Sequence, residues 1–578
     1  MSKSLTDIQK QIIRLNGLVA VKACPGSGKT LTVAARLSDR LQGWEHAHRG
    51  IAAISFTNVA WQEIERALSE QFGISGPIRY PHFLGTIDSF VNQYIFLPFG
   101  HLVMGCRKRP ELVGPPVNNW EPIGNPWPWG SGLCYSRGCK LNHFSYNVDG
   151  SIQDFVFKKD VEACPSSVKK CRVLKKRFNS LGYATLLDST YFAMKVLSEF
   201  PEAARALAYR FPVLMVDEAQ DTCDRQMKII ELLISGGLNE VMLIGDPYQA
   251  IYEWREAKPR LFVEKCTEWD EKMASMNENW RSSQAICDAA CKIARSPVPF
   301  SAKNEEVNRL PISPEVWTYE EARIRDLVPK FLSFCEESGV GAHSHDVAIL
   351  ARSFEIVKKI GGITLRGSNL DPWNDIFTRE LAESRYLFDE GDHTKAFVKM
   401  EKAVYKRLTG TNRCTSDMLN QKISEVGFTS WRTDVYALLN RVPPATGLIT
   451  DWVAKSQEVI EGLSLARGIQ LKSKTDRGSI KYSSVTFDEV FGTRTAESSG
   501  APCRIATVHS VKGETLDAVL LVLKSNAGNR QPYSKVLKEN ILENEELRIV
   551  YVAATRARSV LVFAVPPKDK SLWLKFVS

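Results

Sequence analysis

One short stretch of this 578-residue chain carries the residue types that bind phosphate groups. Residues Ala23–Thr30 read ACPGSGKT and stand between an apolar run and a plausible helix. Backbone amides of such a glycine-rich loop surround phosphates at a helix N-terminus, where the helix dipole adds attraction. Lys29 would reach the β- and γ-phosphates, and Thr30 would ligate Mg²⁺. The loop predicts a nucleoside triphosphate site formed by Ala23, Gly26, Ser27, Gly28, Lys29 and Thr30.

An acidic pair follows a second apolar run. Asp217 and Glu218 come directly after VLMV (Val213–Val216). Asp217 would hold Mg²⁺ together with Thr30, and Glu218 would polarise an attacking water. Acidic pairs at strand ends are common on protein surfaces. Together with the glycine-rich loop, the pair indicates a ligand site, because parallel α/β sheets bind ligands at the carboxyl ends of their strands.

A third stretch combines two chemistries within eleven residues. Residues Gly245–Arg255 read GDPYQAIYEWR. The amide of Gln249 suits a phosphate oxygen, the rings of Tyr252 and Trp254 suit stacked bases, and Arg255 could connect the two sets of contacts. The stretch predicts a link between phosphate state and grip on a strand. The alternative is a strand followed by an aromatic core helix.

Eight apolar runs rich in valine and isoleucine would position these residues. They are Leu18–Ala23, Ile51–Phe56, Val213–Glu218, Val241–Asp246, Asp346–Arg352, Arg504–His509, Ala518–Leu523 and Val560–Val565. Near-continuous apolar strands separated by helices predict parallel sheets covered on both faces. The runs fall into two clusters, so the predicted fold class is α/β with two such sheets.

Two long stretches interrupt this pattern, at residues 92–184 and 367–494. The second contains helical patterns such as His393–Leu408. A structureless loop of that length is improbable inside a compact fold. We therefore expect two inserted, mainly helical subdomains.

The composition limits the possible classes of protein. The chain has 75 lysines and arginines against 66 aspartates and glutamates, and the resulting net charge of +9 is compatible with a polyanionic partner. The polar N-terminus shows no signal peptide, and no run of 18 apolar residues predicts a membrane span. Thirteen cysteines without a leader are best explained as reduced thiols, so we expect a cytoplasmic protein without a membrane partner.

The first interruption also holds residues that could bind zinc. They are Cys134, Cys139, His143, Cys164 and Cys171. Their spacing is irregular, and free cysteines are often simply buried. Zinc binding stays an open alternative.

The motifs in their order resemble those of the superfamily 1A DNA helicases of the UvrD, Rep and PcrA kind. In chain order they are LTDIQ, ACPGSGKT, AISFTNVAWQEI, GTIDSF, VDEAQD, GDPYQAIYEWR, NENWRSS, VHSVKGET and YVAATRAR, which extend from Gln9 to Arg558. The resemblance implies two RecA-like motor domains, 1A (residues 1–91 and 185–270) and 2A (271–366 and 495–578), with inserted subdomains 1B (92–184) and 2B (367–494). It also implies ATP and Mg²⁺ as ligands and 3′→5′ movement on single-stranded DNA.

The resemblance assigns further nucleotide contacts. Gln9, whose amide could read an adenine edge, precedes the glycine-rich loop, and Trp280 would stack on adenine. Arg281 and Arg556 would stabilise γ-phosphate charge from the second motor domain, with Lys29, Asp217, Glu218 and Gln249 completing the catalytic set. The sugar contact falls on Glu514, displaced by one position in KGETLD, and Arg36 is a further nucleotide-binding candidate.

The same resemblance assigns a DNA track. Hydroxyls and amides in FTN and GTIDSF can contact phosphate and sugar without reading sequence. The predicted DNA-binding residues are Phe56, Thr57, Asn58, Thr86, Tyr252, Trp254, Arg255 and His509.

Two alternatives remain open. The KGETLD variant and the modest length are also similar to the helicase-like subunits (GajB) of Gabija-type antiphage systems, which act with an OLD-family nuclease (GajA). Such a protein would sense nucleotide and DNA ends and activate the nuclease. The other alternative, a P-loop ATPase unrelated to nucleic acid, leaves Tyr252, Trp254 and the FTN motif unexplained.

Overall fold

The computed structural model describes most of the chain. The described residues are 5–114, 141, 144–154, 159–160, 168–309, 312–341, 346–361, 371–389, 391–411, 414, 416–461, 468–478, 481–491 and 503–577. Within these ranges no helix is long and apolar enough to cross a membrane. Four of the zinc candidates, Cys134, Cys139, His143 and Cys164, lie outside the described residues, as does the side chain of Cys171.

The described residues form eighteen strands, numbered here in chain order. They are β1 Leu18–Ala23, β2 Ile51–Ser55, β3 Phe83–Thr86, β4 Glu111–Leu112, β5 Phe144–Tyr146, β6 Ile152–Asp154, β7 Lys159–Asp160, β8 Tyr183–Ala184, β9 Val213–Val216, β10 Glu240–Gly245, β11 Met273–Met276, β12 Glu278–Asn279, β13 Ser301–Ala302, β14 Glu315–Thr318, β15 Val347–Ala351, β16 Arg504–Thr507, β17 Leu516–Val522 and β18 Ala557–Val565.

The first large sheet has the strand order β11-β1-β10-β9-β2-β3, and all its neighbouring strands are parallel. Its central strands are buried on both faces, as their uninterrupted apolar runs predict. This order brings the carboxyl ends of β1, β9 and β10 side by side. The glycine-rich loop, the acidic pair and the GDPYQAIYEWR stretch therefore begin at one edge of one sheet.

The α-helices between residues 5 and 270 cover this sheet or belong to the first insertion. They are Asp7–Arg14, Lys29–Leu41, Asn58–Phe72, Ile87–Val91, Leu97–Phe99, His101–Met104, Val168–Ser180, Leu186–Glu199, Pro201–Arg210, Asp224–Ser235 and Pro259–Glu268, and a π-helical segment lies at Asn92–Phe96. Local sequence explains several starts: Thr6 forms a capping box with Gln9, Thr57 caps the helix Asn58–Phe72, and prolines open two others.

The second large sheet has the order β14-β18-β17-β15-β16 and is also parallel throughout. The α-helices associated with it are Gln284–Ala294, Glu305–Asn308, Leu327–Glu337, Phe354–Ile360, Tyr533–Val536, Glu545–Ala554 and Lys570–Val577. Two parallel sheets covered by helices confirm the predicted fold class.

The first sheet extends beyond the expected end of domain 1A. The sequence predicts that domain 1A ends at residue 270, but β11 (Met273–Met276) pairs in parallel with β1 at the edge of the first sheet. The first sheet therefore continues to Met276. A short run reading MASM is too weakly apolar for its strand pairing to be predicted from sequence.

The two insertions differ in structure. Within the described residues, the second has its own core around Leu381 and Trp431, built by the helices Ile376–Asp389, His393–Thr409, Ser416–Val426, Phe428–Arg441, Ile449–Ile460 and Phe487–Phe491. The first adds strands to its helices. Strands β5, β6 and β7 form an antiparallel sheet, and β4 pairs with β8.

Candidate active site and strand track

The glycine-rich loop turns sharply between β1 and the helix Lys29–Leu41. Gly26 and Gly28 adopt left-handed φ values of +69° and +83°, which glycine tolerates without a Cβ penalty. Ser27 closes the turn, because its hydroxyl donates to the Cys24 carbonyl at 2.8 Å. The loop directs the buried side chain of Lys29 to the carboxyl edge of the sheet.

Gln9 supports this loop from the first helix. Its Nε2 donates to the carbonyls of Ser27 and Gly28 at 3.4 and 3.5 Å, and its Oε1 accepts from the Thr6 amide at 2.9 Å. The side chain is 3% exposed. Gln9 therefore lies against the glycine-rich loop and holds it through its amide, and its contact with the adenine base stays a prediction.

The acidic pair lies opposite the loop. The Thr30 hydroxyl donates to Asp217 Oδ2 at 3.3 Å, and the Glu218 amide donates to Asp217 Oδ1 at 2.9 Å. Burial and the neighbouring Glu218 raise the pKa of Asp217 to about 7. Burial would raise the pKa of Glu218, but Lys29, Lys512, the hydrogen bond from Gln220 and Arg556 together outweigh burial and lower that pKa. The pKa values of Asp217 and Glu218 are thus shifted in opposite directions, and Glu218 is the stronger candidate for a charged base.

Gln249 connects the two large sheets. Its Nε2 donates to Asp246 Oδ2 at 2.8 Å, and its Oε1 accepts from Arg556 Nη2 at 3.0 Å. Arg556 is buried and also donates to the carbonyls of Val552 and Glu514. The first contact lies within the GDPYQAIYEWR stretch, and the second crosses to the end of the helix Glu545–Ala554.

Arg281 lies beside Arg556 in the same cleft. Its Nη1 donates to the Thr555 carbonyl at 3.0 Å. Burial and the charge of Arg556 lower the pKa of Arg281, and burial also lowers that of Arg556. Two guanidinium groups that repel each other in a buried cleft would gain from a bound anion.

The segment that carries Arg281 touches the glycine-rich loop directly. The Trp280 amide donates to the Gly26 carbonyl at 3.0 Å. A Cβ on Gly26 would lie 2.6 Å from Arg281 Cβ and 2.7 Å from Asn279 Oδ1. The half-exposed ring of Trp280 therefore belongs to a segment that contacts the nucleotide loop, as adenine stacking requires.

Aromatic and basic side chains meet beyond Gln249. The rings of Phe56 and Tyr252 stack with centroids 5.4 Å apart, and Lys512 Nζ lies 4.4 Å from the Tyr252 ring centroid. His509 approaches the same ring at 6.5 Å, and Arg255 Cζ lies 5.8 Å from the Phe56 centroid. The structure brings four predicted DNA-binding residues and Lys512 into one cluster, the strand track, which is formed by Phe56, Tyr252, Arg255, His509 and Lys512.

Comparison with known protein families assigns this arrangement. The model of the UvrD/REP helicase N-terminal domain matches residues 5–101 and 159–269, and the model of the UvrD-like helicase C-terminal domain matches residues 492–566. The chain belongs to the UvrD-like helicase family. The first match covers five of the six strands of the first sheet, and the second match covers β16, β17 and β18 of the second sheet.

Curated relatives match this UvrD-like chain over shorter stretches. An ATP-dependent helicase/nuclease subunit of Streptococcus pneumoniae (strain Hungary19A-6) is 35% identical over 127 residues, which are 21% of this chain and 10% of the relative. The protein of the same name from Lactococcus lactis subsp. lactis (strain IL1403) is 31% identical over 148 residues, or 25% of this chain and 11% of the relative. The matched part spans about a tenth of the length of these relatives.

Not every predicted residue of the UvrD-like chain lies at the cleft. Arg36 is fully buried and donates to the Ile12 carbonyl at 2.7 Å and to Glu240 at 3.0 Å. Glu240 begins β10, at the opposite end of the strand from Gln249. The expectation that Arg36 contacts the nucleotide is therefore wrong for this structure. Arg36 stabilises the amino edge of the first sheet.

Several other predicted residues have different or additional roles. The Glu514 carboxylate forms a two-pronged ion pair with Arg504, and the Glu514 carbonyl accepts from Arg556, so its sugar contact stays a prediction. Thr57 and Thr86 cap helices through their hydroxyls, and Asn58 accepts from the Trp61 indole. The backbone of Trp254 lies in the turn Glu253–Arg255, but its side chain lies outside the described residues.

Sequence reasoning missed two residues that join the motor domains. Arg548 is fully buried, and it donates to the Ala250 carbonyl at 2.5 Å and to Glu253. The Tyr551 hydroxyl donates to Asp246 Oδ2 at 3.3 Å. An arginine within the apolar helix sequence LRIVYVAA was the available signal, because a charged residue on a buried face requires partners.

The cleft fits a magnesium nucleotide. Burial beside Glu218 favours a proton on Asp217, so a cation near Thr30 and Asp217 would stabilise the ionised carboxylate. A bound anion would likewise stabilise the charged guanidinium groups of Arg281 and Arg556. Among the described residues, no group of three His, Cys, Asp or Glu side chains could hold a metal ion alone. Thr30 and Asp217 would therefore hold Mg²⁺ together with nucleotide oxygens and water.

Proposed function

We propose that this chain is an ATP-driven motor that moves 3′→5′ along single-stranded DNA and separates strands. The observation that carries the proposal is the continuity of Asp246–Tyr252. One end of this segment bonds to Arg556 and Tyr551 at the phosphate side, and the other end stacks in the strand track. A change at the phosphate side therefore has a short covalent route to the residues that would grip DNA.

The residues suit hydrolysis in the following way. Lys29, Arg281 and Arg556 would neutralise the charge on the phosphate oxygens. Mg²⁺ held at Thr30 and Asp217 would supply further positive charge at the phosphates. Glu218 would accept a hydrogen bond from the attacking water, because its cationic neighbours and the Gln220 amide lower its pKa and favour the charged carboxylate.

A second route links hydrolysis to the strand track. Gln220 donates to Glu218 and accepts from the Asp246 amide at 3.0 Å. The neighbouring Asp221 pairs with Lys512 Nζ at 2.6 Å, and Lys512 lies over the Tyr252 ring. Because Lys512 belongs to the second motor domain, closing and opening of the cleft would alter the track from both sides.

The decisive experiment measures ATP hydrolysis with Mg²⁺ alone, with oligo-dT, and with blunt or tailed duplex DNA. We expect strong stimulation by oligo-dT and loss of activity in Lys29→Ala. Displacement of streptavidin from oligonucleotides biotinylated at the 3′ or the 5′ end tests direction, and faster clearance of the 5′ end supports 3′→5′ movement. Hydrolysis that ignores DNA would overturn the proposal in favour of an unrelated P-loop ATPase.

A second candidate is a regulatory helicase-like protein that senses nucleotide and DNA ends and activates a nuclease of the GajA-like, OLD family. Two observations favour it: relatives are named helicase/nuclease subunits, and KGETLD is similar to the Gabija-type helicase-like subunits. Co-purification with the product of the neighbouring gene tests it. A stable complex with nucleotide-dependent nuclease activity supports the regulatory role, and efficient unwinding by the chain alone argues against it.

A further inference from the structure

The turn Tyr252–Glu256 contacts three parts of the molecule within five residues. Tyr252 lies in the strand track, between Phe56 of the first motor domain and Lys512 of the second. Glu253 accepts from Arg548, and its amide donates to Glu545 Oε1 at 2.9 Å, both on the helix Glu545–Ala554. The remaining end of the turn, Glu256, contacts the first insertion.

Glu256 reaches the insertion through two hydrogen-bond partners. Its Oε1 accepts from Gln153 Nε2 at 2.8 Å, and its Oε2 accepts from Arg225. Gln153 lies on β6, in the hairpin that we define as residues Phe144–Asp154. Arg225 also donates to the Tyr146 carbonyl on the facing strand β5. One carboxylate thus holds both strands of the hairpin, one directly and one through Arg225.

The contact between Glu256 and Arg225 is shielded from water, so loss of one partner would leave the other charge uncompensated. The side chains of Arg225 and Glu256 are 4% and 18% exposed. The hairpin end is itself firmly packed, because Tyr146 stacks on Tyr191 at 4.6 Å and donates to Asn179 at 2.8 Å. A buried pair between two ordered elements transmits displacement better than an exposed pair, whose long side chains reorient.

The backbone conformation at Glu256 is one that favours glycine over glutamate. Its φ is +66°, in the left-handed region where glycine is favoured and a side chain costs conformational free energy. Glycine would satisfy the turn but would leave Arg225 and Gln153 without the carboxylate. The contact therefore depends on a side chain that the turn geometry alone does not require.

We propose that Glu256 is a positioning residue that holds the hairpin Phe144–Asp154 to the turn Tyr252–Glu256, so that the first insertion moves with the strand track and contributes to the grip on DNA. This inference rests on the proposed motor function. It assigns the insertion a place in the DNA path through contacts to the same turn that touches both motor domains.

The test compares Glu256→Gly with wild type in the whole 578-residue chain. Glycine suits the left-handed backbone, which offsets part of the cost of removing the carboxylate and its two methylene groups from beside Arg225. Hydrogen exchange in the absence of DNA should be about tenfold faster or more at the hairpin amides, and unchanged in the first sheet. The oligo-dT concentration that gives half-maximal ATPase should rise about fivefold or more, while hydrolysis without DNA stays unchanged.

Asp224→Ala is the matched control. Asp224 precedes Arg225 and forms an exposed ion pair with Lys258 at 2.6 Å, so its loss should leave both measurements at wild-type values. Unchanged hairpin exchange in Glu256→Gly would overturn the attachment. Faster exchange with an unchanged half-saturating oligo-dT concentration would overturn the role in DNA grip. Failure of the wild type to respond to oligo-dT would instead refute the motor function, and the hairpin measurement would still decide the attachment.

Discussion

Arg556 Nη2 donates to Gln249 Oε1 at 3.0 Å, although the two residues are 307 positions apart in the chain. Gln249 follows strand β10 of the first sheet and Arg556 precedes strand β18 of the second, so one hydrogen bond spans the cleft between the motor domains. Burial lowers the pKa of Arg556, so a nearby anion would stabilise its charged form. A nucleotide phosphate would therefore compete for both partners.

Gln249→Ala is expected to separate nucleotide binding from DNA-stimulated hydrolysis. The amide bonds to Asp246 and Arg556 and not to the loop that surrounds phosphate. Nucleotide affinity should stay near wild type, while turnover with saturating oligo-dT falls about 10–100-fold. Binding of a fluorescent ATP analogue and steady-state ATPase measure the two effects. Gln421→Ala, on an exposed helix of the second insertion, is the control, and undiminished stimulation in Gln249→Ala would refute the coupling role.

Lys29→Ala should reduce ATP hydrolysis about 100-fold or more, because it removes the cation that would meet the phosphates in the loop. Lys29 also lowers the pKa of Glu218, so the variant would lose part of the charged form of the proposed base. Steady-state ATPase with oligo-dT measures the loss. Lys10→Ala, which breaks an exposed ion pair with Asp7, should retain wild-type turnover. Full activity in Lys29→Ala would remove the loop from the active site.

Gly26→Ala should impair the active site far more than Gly43→Ala. Both glycines have left-handed φ values, +69° and +74°, so the backbone cost of alanine is similar. At Gly26 the new Cβ would collide with Arg281 and Asn279, whereas at Gly43 no atom lies within 4 Å. We expect kcat/KM for ATP to fall about tenfold or more in Gly26→Ala only. Equal losses in the two variants would show that backbone strain, and not contact with the Arg281 segment, is decisive.

Asp217→Asn should change the pH dependence of stability in the Mg²⁺-free protein. The folded-state pKa of Asp217 is raised to about 7, above the unfolded value near 3.9. The stability that Asp217 contributes is therefore fully present below the unfolded pKa and is lost as pH rises through the folded pKa. Asparagine does not titrate. The melting temperature of the variant relative to wild type should therefore increase between pH 5 and pH 8. The pKa of Asp221 is also raised, to about 6, but Asp221 is present in both proteins, so the effect of its titration cancels in the difference.

That experiment has a direct internal check. Saturating Mg²⁺ and nucleotide should reduce the pH dependence in wild type, because a bound cation favours the ionised carboxylate. A difference in melting temperature that does not change between pH 5 and pH 8 would contradict the raised pKa.

Tyr252→Ala should weaken binding of single-stranded DNA by about 1–3 kcal/mol, the usual contribution of one stacked base. The substitution also removes the ring that packs on Phe56 and under Lys512. Fluorescence anisotropy with labelled oligo-dT at fixed salt measures affinity. Tyr436→Ala, which truncates a half-exposed tyrosine in the second insertion, serves as the control. Equal affinity of the two variants would exclude Tyr252 from the strand track.

Local patterns in the sequence were sufficient for the fold class and for many of the residues that the structure brings together at the cleft. The uninterrupted apolar runs predicted both parallel sheets, because strands covered on two faces cannot alternate polar and apolar residues. The glycine-rich loop and Asp217 were expected to meet because parallel strands end at a common edge, and the structure places Thr30 in contact with Asp217 there.

Predictions failed where long-range packing decides a residue's role. Arg36 lies six residues after Thr30, the last residue of the loop, yet it contacts Glu240 at the other end of the sheet. Strand β11 is too short and weakly apolar to be recognised without its pairing to β1. In both cases the deciding partner is distant in sequence, and no local pattern encodes it.

The amino-acid sequence by itself determined the two-sheet architecture, the phosphate loop and its acidic partners, because each depends on residues within one element and its following turn. Only the tertiary structure decided that Gln9 holds the loop, that Arg548 and Tyr551 join the domains, and that Glu256 reaches the hairpin of the insertion. These contacts join elements whose relative placement depends on the packing of the whole chain. They also connect the proposed hydrolysis site to the strand track.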